Sequence, residues 1–490
     1  MPKIASKLEL NRVQELDYLL TQLKPLILNH ISNASNPESR VGPRISPLEL
    51  TKLVKLDTPS KGSGKEGVYD LFDTVLKNSV VTWHPGFLDK LYASTNPIGV
   101  VSDLLLSLLN TNSHVYTVSP VLTLIEKKVS KSYANLFGFT GQYAGGLTFS
   151  GGSWSNITSL QIARSILFPQ TKAEGNGNYK FALFASKHSH YSVEKAAILL
   201  GLGANNIFDV EVDAAGVLNV QDLENKIIES KEKGFTPLYI NSTAGTTVFG
   251  SFDPFDEISA IAKKYGIWFH IDGSWGGNVV FSEKYKHKLK GAEKADSITA
   301  NPHKLLGVPT TCSFLLLPDE RVFQTANSLD APYLFHSAES DDTFYDLADG
   351  TMGCGRRPDA LKLYLGWNFY GKEGYEERIN HAYEITGYFA DKLQNNPSKF
   401  KLVSTNPPPC MQVCFYFNKD GKFDDKEQNS KITREIVAKL HESGKFLIDF
   451  APAHGVDTGE FFRVVFVSPI VNSDIVDDLY STIIEVGENL

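Results

Sequence analysis

Hydrophobic residues recur at helical spacing near the start of the chain. Within residues 9–33, the apolar positions on one helical face are Leu10, Val13, Leu16, Leu19, Leu20, Leu23, Leu26 and Ile27. Polar, helix-breaking stretches rich in proline and glycine follow at 34–48 and 57–67. The pattern predicts an N-terminal helical segment over residues 1–84, with two or three helices that pack on the main body or on a partner subunit.

From about residue 85 to 350, helical patterns alternate with short β-rich runs. The predicted strands are Phe181–Ala185, Ile207–Val212, Leu238–Asn241, Trp268–Ile271, Ser297–Thr299 and Ser313–Leu317. The predicted helices between them cover 119–137, 154–167, 191–201, 220–233 and 254–265. Several strands are continuous apolar runs, which is typical of a parallel sheet buried on both faces. The alternation predicts a large α/β domain over residues 85–357.

The pattern changes after residue 357. One long predicted helix, 358–393, is followed by predicted strands near 400–403, 411–417, 446–450 and 461–467. Further helices are predicted at 430–443 and 472–488. This mixture predicts a small C-terminal α+β domain over residues 358–490. A chain of 490 residues is too long for one compact core, which agrees with such a division.

Composition and charge narrow the classes of partner. The formal net charge of -8 argues against a nucleic-acid partner, which requires a basic face. The four cysteines form no disulfide framework and suit a reducing compartment. Cys410 and Cys414 have a spacing close to that of metal ligands, but no histidine or cysteine pair lies near them, so no metal site is predicted.

Targeting signals are also absent from the pattern. The first residues, Met1–Lys7, contain no apolar segment of the kind that directs secretion. The longest apolar stretch, Ile98–Leu109, contains Asp103 and is too short to span a bilayer. The sequence therefore predicts a cytoplasmic protein without a membrane partner.

Asp272 and Lys304 are the leading candidates for chemistry. Asp272 ends an apolar run and precedes a Gly-rich loop, and Lys304 follows the polar turn Asn301-Pro302-His303. A buried carboxylate and a lysine from neighbouring strand ends are what a pyridoxal phosphate enzyme needs. The lysine binds the cofactor covalently, and the carboxylate keeps the pyridine nitrogen protonated. On local pattern alone, Lys304 could also be a structural turn lysine, and Asp272 a helix N-cap or loop acceptor.

Three more loops follow predicted strands or open predicted helices. Ser150–Asn156 places small residues at a helix N-terminus, where backbone N–H groups bind phosphate. His190 lies in a loop after a predicted strand and could stack on an aromatic cofactor or cap the next helix. Asn241–Thr247 is a hydroxyl-rich loop at another strand end, which is the edge where α/β sheets bind ligands.

In this order, the motifs closely resemble those of the group II pyridoxal-phosphate decarboxylases, in the branch of glutamate, cysteine sulfinate and aspartate decarboxylases. The resemblance runs from about His84-Pro85-Gly86-Phe87 to the C-terminus. The matching motifs are Ser119-Pro120, Gly151-Gly152-Ser153, Ser189-His190-Tyr191-Ser192, Thr243–Thr247, Asp272 with Trp275-Gly276-Gly277, Asn301–Lys304 and Cys354-Gly355-Arg356. The resemblance implies a fold-type I enzyme that binds pyridoxal 5'-phosphate, with a large, mostly parallel sheet domain and a homodimeric assembly whose active site lies at the subunit interface.

The resemblance also assigns residues to the cofactor. They are Lys304, Asp272, His190, Gly152, Ser153, Thr246 and His303. Lys304 would bind the cofactor covalently and Asp272 would pair with the pyridine nitrogen, while His190 would stack on the ring. Gly152, Ser153 and His303 would surround the phosphate, and Thr246 would lie near the phenolic oxygen of the ring.

Two further residues bear on the reaction itself. Tyr333 matches a mobile-loop tyrosine that protonates the substrate carbon after carbon dioxide leaves; read from the pattern alone, it could be a core aromatic residue. Arg463 matches an arginine that binds the α-carboxylate of the substrate. A guanidinium–carboxylate pair would orient the bond to be cleaved. With Lys304 and His190, Tyr333 completes the predicted catalytic set.

Three positions bear on the choice of substrate. Tyr92 stands where the cysteine sulfinate and aspartate enzymes have a bulky aromatic residue, which shortens the pocket and disfavours glutamate. Asn112 instead matches the glutamate enzymes. Lys90 departs from the usual glutamine of the family, and it is either a cation for the acidic side chain of the substrate or an exposed lysine.

The sequence therefore predicts decarboxylation of L-aspartate to β-alanine first, with cysteine sulfinate to hypotaurine or L-glutamate to γ-aminobutyrate as alternatives. A fold-type I aminotransferase or carbon–carbon lyase is the alternative from another class, because it uses the same lysine and aspartate.

Overall fold

The chain folds around two β-sheets, one of seven strands and one of five. The computed structural model describes residues 11–36, 38–54, 56–329, 344–452 and 454–490. The strands are β1 (Phe87–Leu88), β2 (Gly145–Phe149), β3 (Phe181–Ser186), β4 (Ile207–Val210), β5 (Thr236–Thr243), β6 (Trp268–Gly273), β7 (Ser297–Ala300), β8 (Ser313–Leu317), β9 (Phe400–Leu402), β10 (Gln412–Phe417), β11 (Leu447–Ala451) and β12 (Phe461–Val465).

Helices precede, separate and follow these strands. The α-helices are α1 (Arg12–Asn33), α2 (Pro47–Leu53), α3 (Gly64–Asn78), α4 (Pro97–Leu109), α5 (Pro120–Leu136), α6 (Gly152–Leu167), α7 (Thr171–Glu174), α8 (Ser192–Leu199), α9 (Val220–Glu232), α10 (Phe255–Tyr265), α11 (Pro302–Leu305), α12 (Arg321–Asn327), α13 (Ala360–Gln394), α14 (Lys426–Ser443) and α15 (Ser473–Glu488). The short 3₁₀ turns are Tyr116–Val118, Ala204–Asn206, Gly276–Phe281, Lys286–Leu289, Ala292–Lys294 and Leu347–Gly350.

The larger sheet has seven strands in the order β2-β8-β7-β6-β5-β3-β4. The pairs from β7 through β6, β5 and β3 to β4 are parallel, and β8 runs antiparallel to both of its neighbours. The predicted α/β class with a mostly parallel sheet is therefore confirmed. Successive side chains of the central strands pack in different apolar clusters, as those of Trp268 and Phe269 on β6 do. Both faces of the sheet are thus buried, which explains the continuous apolar runs.

The edge strand β2 was not predicted from the sequence, because glycine is rare in strands. Its first two residues, Gly145 and Gly146, lie close to other parts of the chain. A Cβ atom on Gly146 would lie 2.2 Å from the backbone oxygen of Leu315 on β8, and one on Gly145 would lie 2.3 Å from Oε2 of Glu320. Close approach of β8 accounts for Gly146, whereas Gly145 lies against the side chain of Glu320.

The smaller sheet has five strands in the order β1-β11-β12-β10-β9. Its apolar side chains pack against α14, α15 and the second part of α13. The helix α13 is interrupted at Gly371, where φ is +69°. Phe87 of β1 pairs with Leu447 of β11, so a segment placed by the prediction in the large domain contributes to the small sheet. The predicted domain limits of 84/85 and 357/358 otherwise stay a prediction.

The three helices of the N-terminal segment leave many apolar side chains uncovered. The clearly exposed ones on α1, α2 and α3 are Val13, Leu16, Leu20, Leu28, Leu48, Leu53, Val68, Leu71 and Val75. None of these helices has a fully buried residue. Across the described parts of the chain, no helix combines the length and the apolar character needed to cross a bilayer.

Candidate active site

Four loops meet at the carboxyl edge of the large sheet. Asp272, near the end of β6, lies opposite Thr243 of β5 and Thr299 of β7. His190 lies in the loop that joins β3 to α8, and Lys304 lies in the single turn of α11 that follows β7. Since the parallel strands all end at this edge, residues that are far apart in sequence are brought together there.

Asp272 is a buried carboxylate, only 4% exposed. Its Oδ2 accepts a hydrogen bond from Nδ2 of Asn156 at 2.8 Å, and its Oδ1 accepts one from the backbone N–H of Ser274 at 3.0 Å. Burial by itself raises the pKa of Asp272, but His190, the Ser274 N–H and Lys304 outweigh burial and lower that pKa. The loop hydrogen bond considered from the sequence is present, and the carboxylate stays charged.

A series of buried hydrogen-bonded side chains lies behind Asp272. Asn156 on α6 has its Oδ1 3.1 Å from Nε2 of His270, whose Nδ1 lies 2.8 Å from Oγ of Ser297 and 3.0 Å from Oγ of Ser159. Burial lowers the pKa of His270 to about 4, so the ring is neutral near pH 7. A neutral ring that accepts at Nδ1 donates from Nε2 to Asn156, and the amide group of Asn156 is then turned toward Asp272.

Lys304 lies half-buried in α11, with no hydrogen-bond partner for its Nζ among the described residues. Burial lowers the pKa of Lys304; Asp272 acts in the opposite direction, and Arg463 adds to the lowering. A lysine whose pKa is lowered holds more of its amine in the neutral, nucleophilic form.

Two histidines flank the lysine and the aspartate. Nδ1 of His190 accepts the backbone N–H of Ser192, the first residue of α8, at 3.2 Å, although the N-cap of that helix is Tyr191. Burial lowers the pKa of His190, and Asp272 opposes that shift. His303 is fixed by the backbone of Cys312, because its Nδ1 lies 2.7 Å from the backbone oxygen and 3.0 Å from the backbone nitrogen of that residue. Burial lowers the pKa of His303 to about 4, so this ring is neutral as well.

The start of α6 forms a close-fitting cradle. Gly151 has a φ of +106°, which favours glycine, and α6 begins at the next residue. A Cβ atom on Gly152 would lie 2.5 Å from Oγ of Ser274 and 2.8 Å from Nδ2 of Asn301. Ser153 follows in the first turn, where backbone N–H groups have no partner within the helix. The geometry suits an anionic group that approaches the backbone.

Several buried polar atoms around this edge lack a partner in the described structure. They are Oγ1 of Thr243, Oδ1 of Asn301 and Nε of Arg463. Thr246 is fully buried, and its Oγ1 accepts the backbone N–H of Ser251 at 3.0 Å, which leaves its own hydroxyl hydrogen free to donate. Unpartnered buried donors and acceptors are costly, and they indicate a ligand that completes them.

Arg463 joins the small sheet to this site. It lies on β12 and is 6% exposed. Its Nη1 donates to the backbone oxygen of Thr247 at 3.1 Å, in the loop after β5. Its Nη2 donates to Oδ2 of Asp449 at 2.5 Å and to the backbone oxygen of Asp89 at 3.3 Å. Lys90 donates from Nζ to the same Oδ2 at 2.9 Å, so it is not a free surface lysine.

The remaining predicted residues lie in two different places. Tyr92 is 40% exposed, and its ring centroid lies 5.6 Å from that of Phe87. Asn112 lies elsewhere, where its Oδ1 accepts the backbone N–H of Arg356 at 2.8 Å. No hydrogen bond within the described residues joins Asn112 to Lys90 or Arg463. Tyr333 lies outside the described residues.

Asn156 and Asp449 are site residues that the sequence reasoning missed. Asn156 was treated only as part of a phosphate-binding loop. Asp449 is a charged residue inside the apolar run from Phe446 to Phe450, and a charge in such a half-buried strand is the signal that could have identified it.

Comparison with known proteins agrees with this arrangement. Residues 47–418 match the family described as the pyridoxal-dependent decarboxylase conserved domain. The L-aspartate decarboxylase dtxS4 of Metarhizium robertsii is 46% identical over 479 residues, which cover 94% of each chain. The glutamate decarboxylase-like protein FG08083 of Gibberella zeae is 37% identical, over 94% of this chain and 95% of that protein. The crystal structure of mouse CSAD is 32% identical, with a TM-score of 0.91, over 97% of this chain and 100% of that chain.

Fold and site together define a pyridoxal-phosphate-dependent amino-acid decarboxylase of fold-type I, a carboxy-lyase. The chain belongs to the pyridoxal-dependent decarboxylase family. The resemblance drawn from the motifs is therefore confirmed. The match to this family also favours a decarboxylase over the aminotransferase and carbon–carbon lyase considered above.

The residues present fit pyridoxal phosphate. A charged carboxylate at Asp272 suits a cationic pyridine nitrogen, and the unpartnered amine of Lys304 suits an aldehyde. The cradle at Gly152 lies where an anionic group would meet the backbone N–H donors of the first turn of α6.

Proposed function

We propose that this protein decarboxylates a short acidic L-amino acid, with L-aspartate, which gives β-alanine and carbon dioxide, as the first candidate. Cysteine sulfinate to hypotaurine and L-glutamate to γ-aminobutyrate are the alternatives. The observation that carries the proposal is a pair of cations, Arg463 and Lys90, that bind one carboxylate oxygen, while Arg463 also contacts the loop after β5 at the edge that carries Asp272. Two cations suit a substrate with two acid groups. The similarity to an L-aspartate decarboxylase at 46% identity supports the order of candidates.

We assign the cofactor to the residues at the carboxyl edge of the large sheet. Bound pyridoxal phosphate supplies a ring that accepts the electron pair left behind when carbon dioxide departs. Lys304 would provide the amine that binds it covalently, and Asp272 would hold a proton at its pyridine nitrogen. The ring of His190 would stack on the cofactor, and Thr246 would donate to its phenolic oxygen. Gly152, Ser153 and His303 would bind the phosphate.

The protein orients the substrate through its carboxylates. Arg463 binds the α-carboxylate, and its buried, unpartnered Nε supplies a donor for it. Lys90 binds the side-chain acid, and Tyr92 limits the length of the pocket. A carboxylate fixed at one end leaves the bond to the α-carbon in one orientation, which selects decarboxylation among the possible reactions. Tyr333 returns a proton to the α-carbon after carbon dioxide leaves.

We propose a homodimer as the functional assembly, in the cytoplasm. The supporting observation is the row of exposed apolar side chains on the N-terminal helices and on α4, where Val101 is 54% and Leu108 is 70% exposed. Large exposed apolar surfaces are typical of subunit interfaces. A second copy would also explain why Asn112 lies apart from the Arg463 region, because the partner could supply it. Light scattering of the purified holoenzyme should give twice the chain mass of 54.2 kDa.

The substrate proposal is tested by comparing the three acids one at a time. Purified holoenzyme is given L-aspartate, L-cysteine sulfinate and L-glutamate separately, and carbon dioxide release gives kcat/KM for each. We expect the highest value for L-aspartate. A higher value for L-glutamate would reverse the order, and release from none of the three would reject the acidic substrate class.

A further inference from the structure

Two cations of the site share a single carboxylate oxygen. Nη2 of Arg463 lies 2.5 Å from Oδ2 of Asp449, and Nζ of Lys90 lies 2.9 Å from the same atom. The three residues come from adjacent parts of the small sheet. Asp449 on β11 lies directly opposite Arg463 on β12, and Lys90 follows β1, which pairs with the other edge of β11. The sheet register itself therefore places an arginine, an aspartate and a lysine side by side.

The ion pair formed by Arg463 is the buried end of this cluster. The side chain of Arg463 is 7% exposed, that of Asp449 is 23% exposed, and that of Lys90 is 51% exposed. Removing one partner from a buried pair leaves an uncompensated charge, so Asp449 and Arg463 constrain each other strongly. Lys90 has a flexible four-carbon stem, and only its carboxylate partners hold its ammonium group in place.

Lys90 has a second partner, but a weaker one. Its Nζ lies 3.3 Å from Oδ1 of Asp89. Burial raises the pKa of Asp89, and the charge on Asp449 raises it further, so Asp89 holds its negative charge less firmly. Burial works against the charge on Lys90, but Asp449 and Asp89 outweigh it and raise the pKa of Lys90. Lys90 is therefore an ammonium ion that depends mainly on Asp449 for its position.

We propose that Asp449 is a specificity-determining residue, which holds Lys90 and Arg463 at the spacing of the two acid groups of a four-carbon amino acid. The inference rests on the proposed function, since it assigns the α-carboxylate to Arg463 and the side-chain acid to Lys90. Arg463 retains Nε for a ligand, and an ammonium group has donors beyond the one that Asp449 accepts.

The physical basis is the shared oxygen. Because Nη2 of Arg463 and Nζ of Lys90 both bind this atom, the gap between the two cations is short. A five-carbon acid would have to displace Lys90 from Asp449 to bring its longer side chain into reach. Without Asp449, Lys90 would keep only its weaker contact with Asp89, and the distinction between the two chain lengths would be lost. A residue that only neutralised Arg463 would affect both acids to the same extent.

The test compares acids of two lengths in the holoenzyme. We expect Asp449→Asn to lower the ratio of kcat/KM for L-aspartate to that for L-glutamate at least tenfold, mainly through KM for L-aspartate. Lys90→Met should reduce the same ratio, and the double variant should reduce it no further, because the two residues act as one unit. Asp478→Asn, which breaks a 2.5 Å pair with Lys445 on the same domain, is the matched control and should leave the ratio unchanged.

Equal losses for both acids in Asp449→Asn, or an unchanged ratio, would overturn the proposal. If that variant does not fold, an unchanged ratio in Lys90→Met overturns it instead. Calorimetric binding of succinate and glutarate separates this inference from the proposed function, since neither ligand is decarboxylated. Wild type should prefer succinate and Asp449→Asn should lose the preference, even if neither amino acid releases carbon dioxide. Equal binding of the two diacids to wild type also rejects the inference.

Discussion

The side chain of Asn156 lies between Asp272 and His270, 2.8 Å from Oδ2 of the first and 3.1 Å from Nε2 of the second. The neutral histidine fixes the direction of the amide, and the amide donates to the carboxylate. An aspartate that must stay charged in a buried site needs such donors. Asn156 is therefore a positioning residue for Asp272, and it acts through Asp272 rather than by contact with the substrate.

Replacing Asn156 with leucine keeps the volume but removes the donor to Asp272. A buried acceptor that loses its donor costs about 1–3 kcal/mol. The negative charge on Asp272 would be less stable, and its pairing with the cofactor would weaken. We expect the dissociation constant of pyridoxal phosphate to rise by about tenfold or more, measured by titration of the apoenzyme and followed by visible absorption.

Ser155→Ala is the control for Asn156→Leu. It removes a buried hydrogen bond from the same helix, 2.7 Å to Oγ of Ser313, but leaves Asp272 untouched. The affinity for pyridoxal phosphate should be that of wild type. Equal affinities in Asn156→Leu and wild type would contradict the positioning role.

Much of this fold could be predicted from the sequence, since the central strands bury both faces and appear as continuous apolar runs. Trp268–Ile271, for example, lies within β6 as predicted. The edge strand β2 could not be predicted, because Gly145 and Gly146 reflect contacts with β8 and Glu320 that are formed only in the tertiary structure.

Candidate site residues could be identified from the sequence where they lie in one local motif. They could not be identified where strand pairing brings together residues that are far apart in the chain. The motif around Lys304 is local, and so is the loop after Asp272. The contact of Lys90 with Asp449 spans the chain and depends on the pairing of β1 with β11, which no local pattern indicates. Lys90 is indeed exposed, with 51% of its side chain accessible, but the local sequence gives no indication of its ion pair with Asp449.

Removal of the amine of Lys304 tests the proposed covalent site. We expect Lys304→Ala to lower kcat by at least about a thousandfold, which corresponds to about 4 kcal/mol in the barrier. The cofactor should be lost on dialysis, together with its visible absorption. Lys304→Arg keeps a cation beside Asp272 but should lose the reaction as well.

Lys294→Ala serves as the control for Lys304, because Lys294 pairs with Asp256 on an exposed turn at 2.5 Å. It should retain both cofactor and activity. Retention of a dialysis-resistant visible band in folded Lys304→Ala would place the covalent bond on another residue.

The buried ring of His270 predicts a loss of stability in acid. Burial lowers its pKa in the folded state to about 4, from 6.5 as the ordinary value. Between these two values the unfolded chain binds a proton that the folded chain does not, so the free energy of unfolding falls as the pH falls. The contribution of this ring is complete above pH 6.5 and is lost progressively toward pH 4. Within that window, the free energy of unfolding falls by about 1.4 kcal/mol for each pH unit.

Urea unfolding of the holoenzyme between pH 7 and pH 5 measures this slope. His270→Gln should be less dependent on pH than wild type, although it is less stable overall because it breaks the contacts to Ser159 and Ser297. His287→Gln, on an exposed turn, should keep the slope of wild type. If the slope of His270→Gln equals that of wild type, the ring is not the source of the acid sensitivity.

We expect Tyr92, whose ring packs beside that of Phe87 two residues after Lys90, to limit the length of the substrate pocket. Tyr92→Ser should open the pocket by about the length of one methylene group. A change of this size is worth about 1–3 kcal/mol, so the preference for L-aspartate over L-glutamate should fall by about 10- to 200-fold. The measurement is kcat/KM for each acid. Tyr179→Ser, with a similar exposure of 37% but located at the amino end of β3, should leave the preference unchanged. A variant at Tyr92 that lowers both values in proportion would show that the ring supports the fold of this segment and does not measure the substrate.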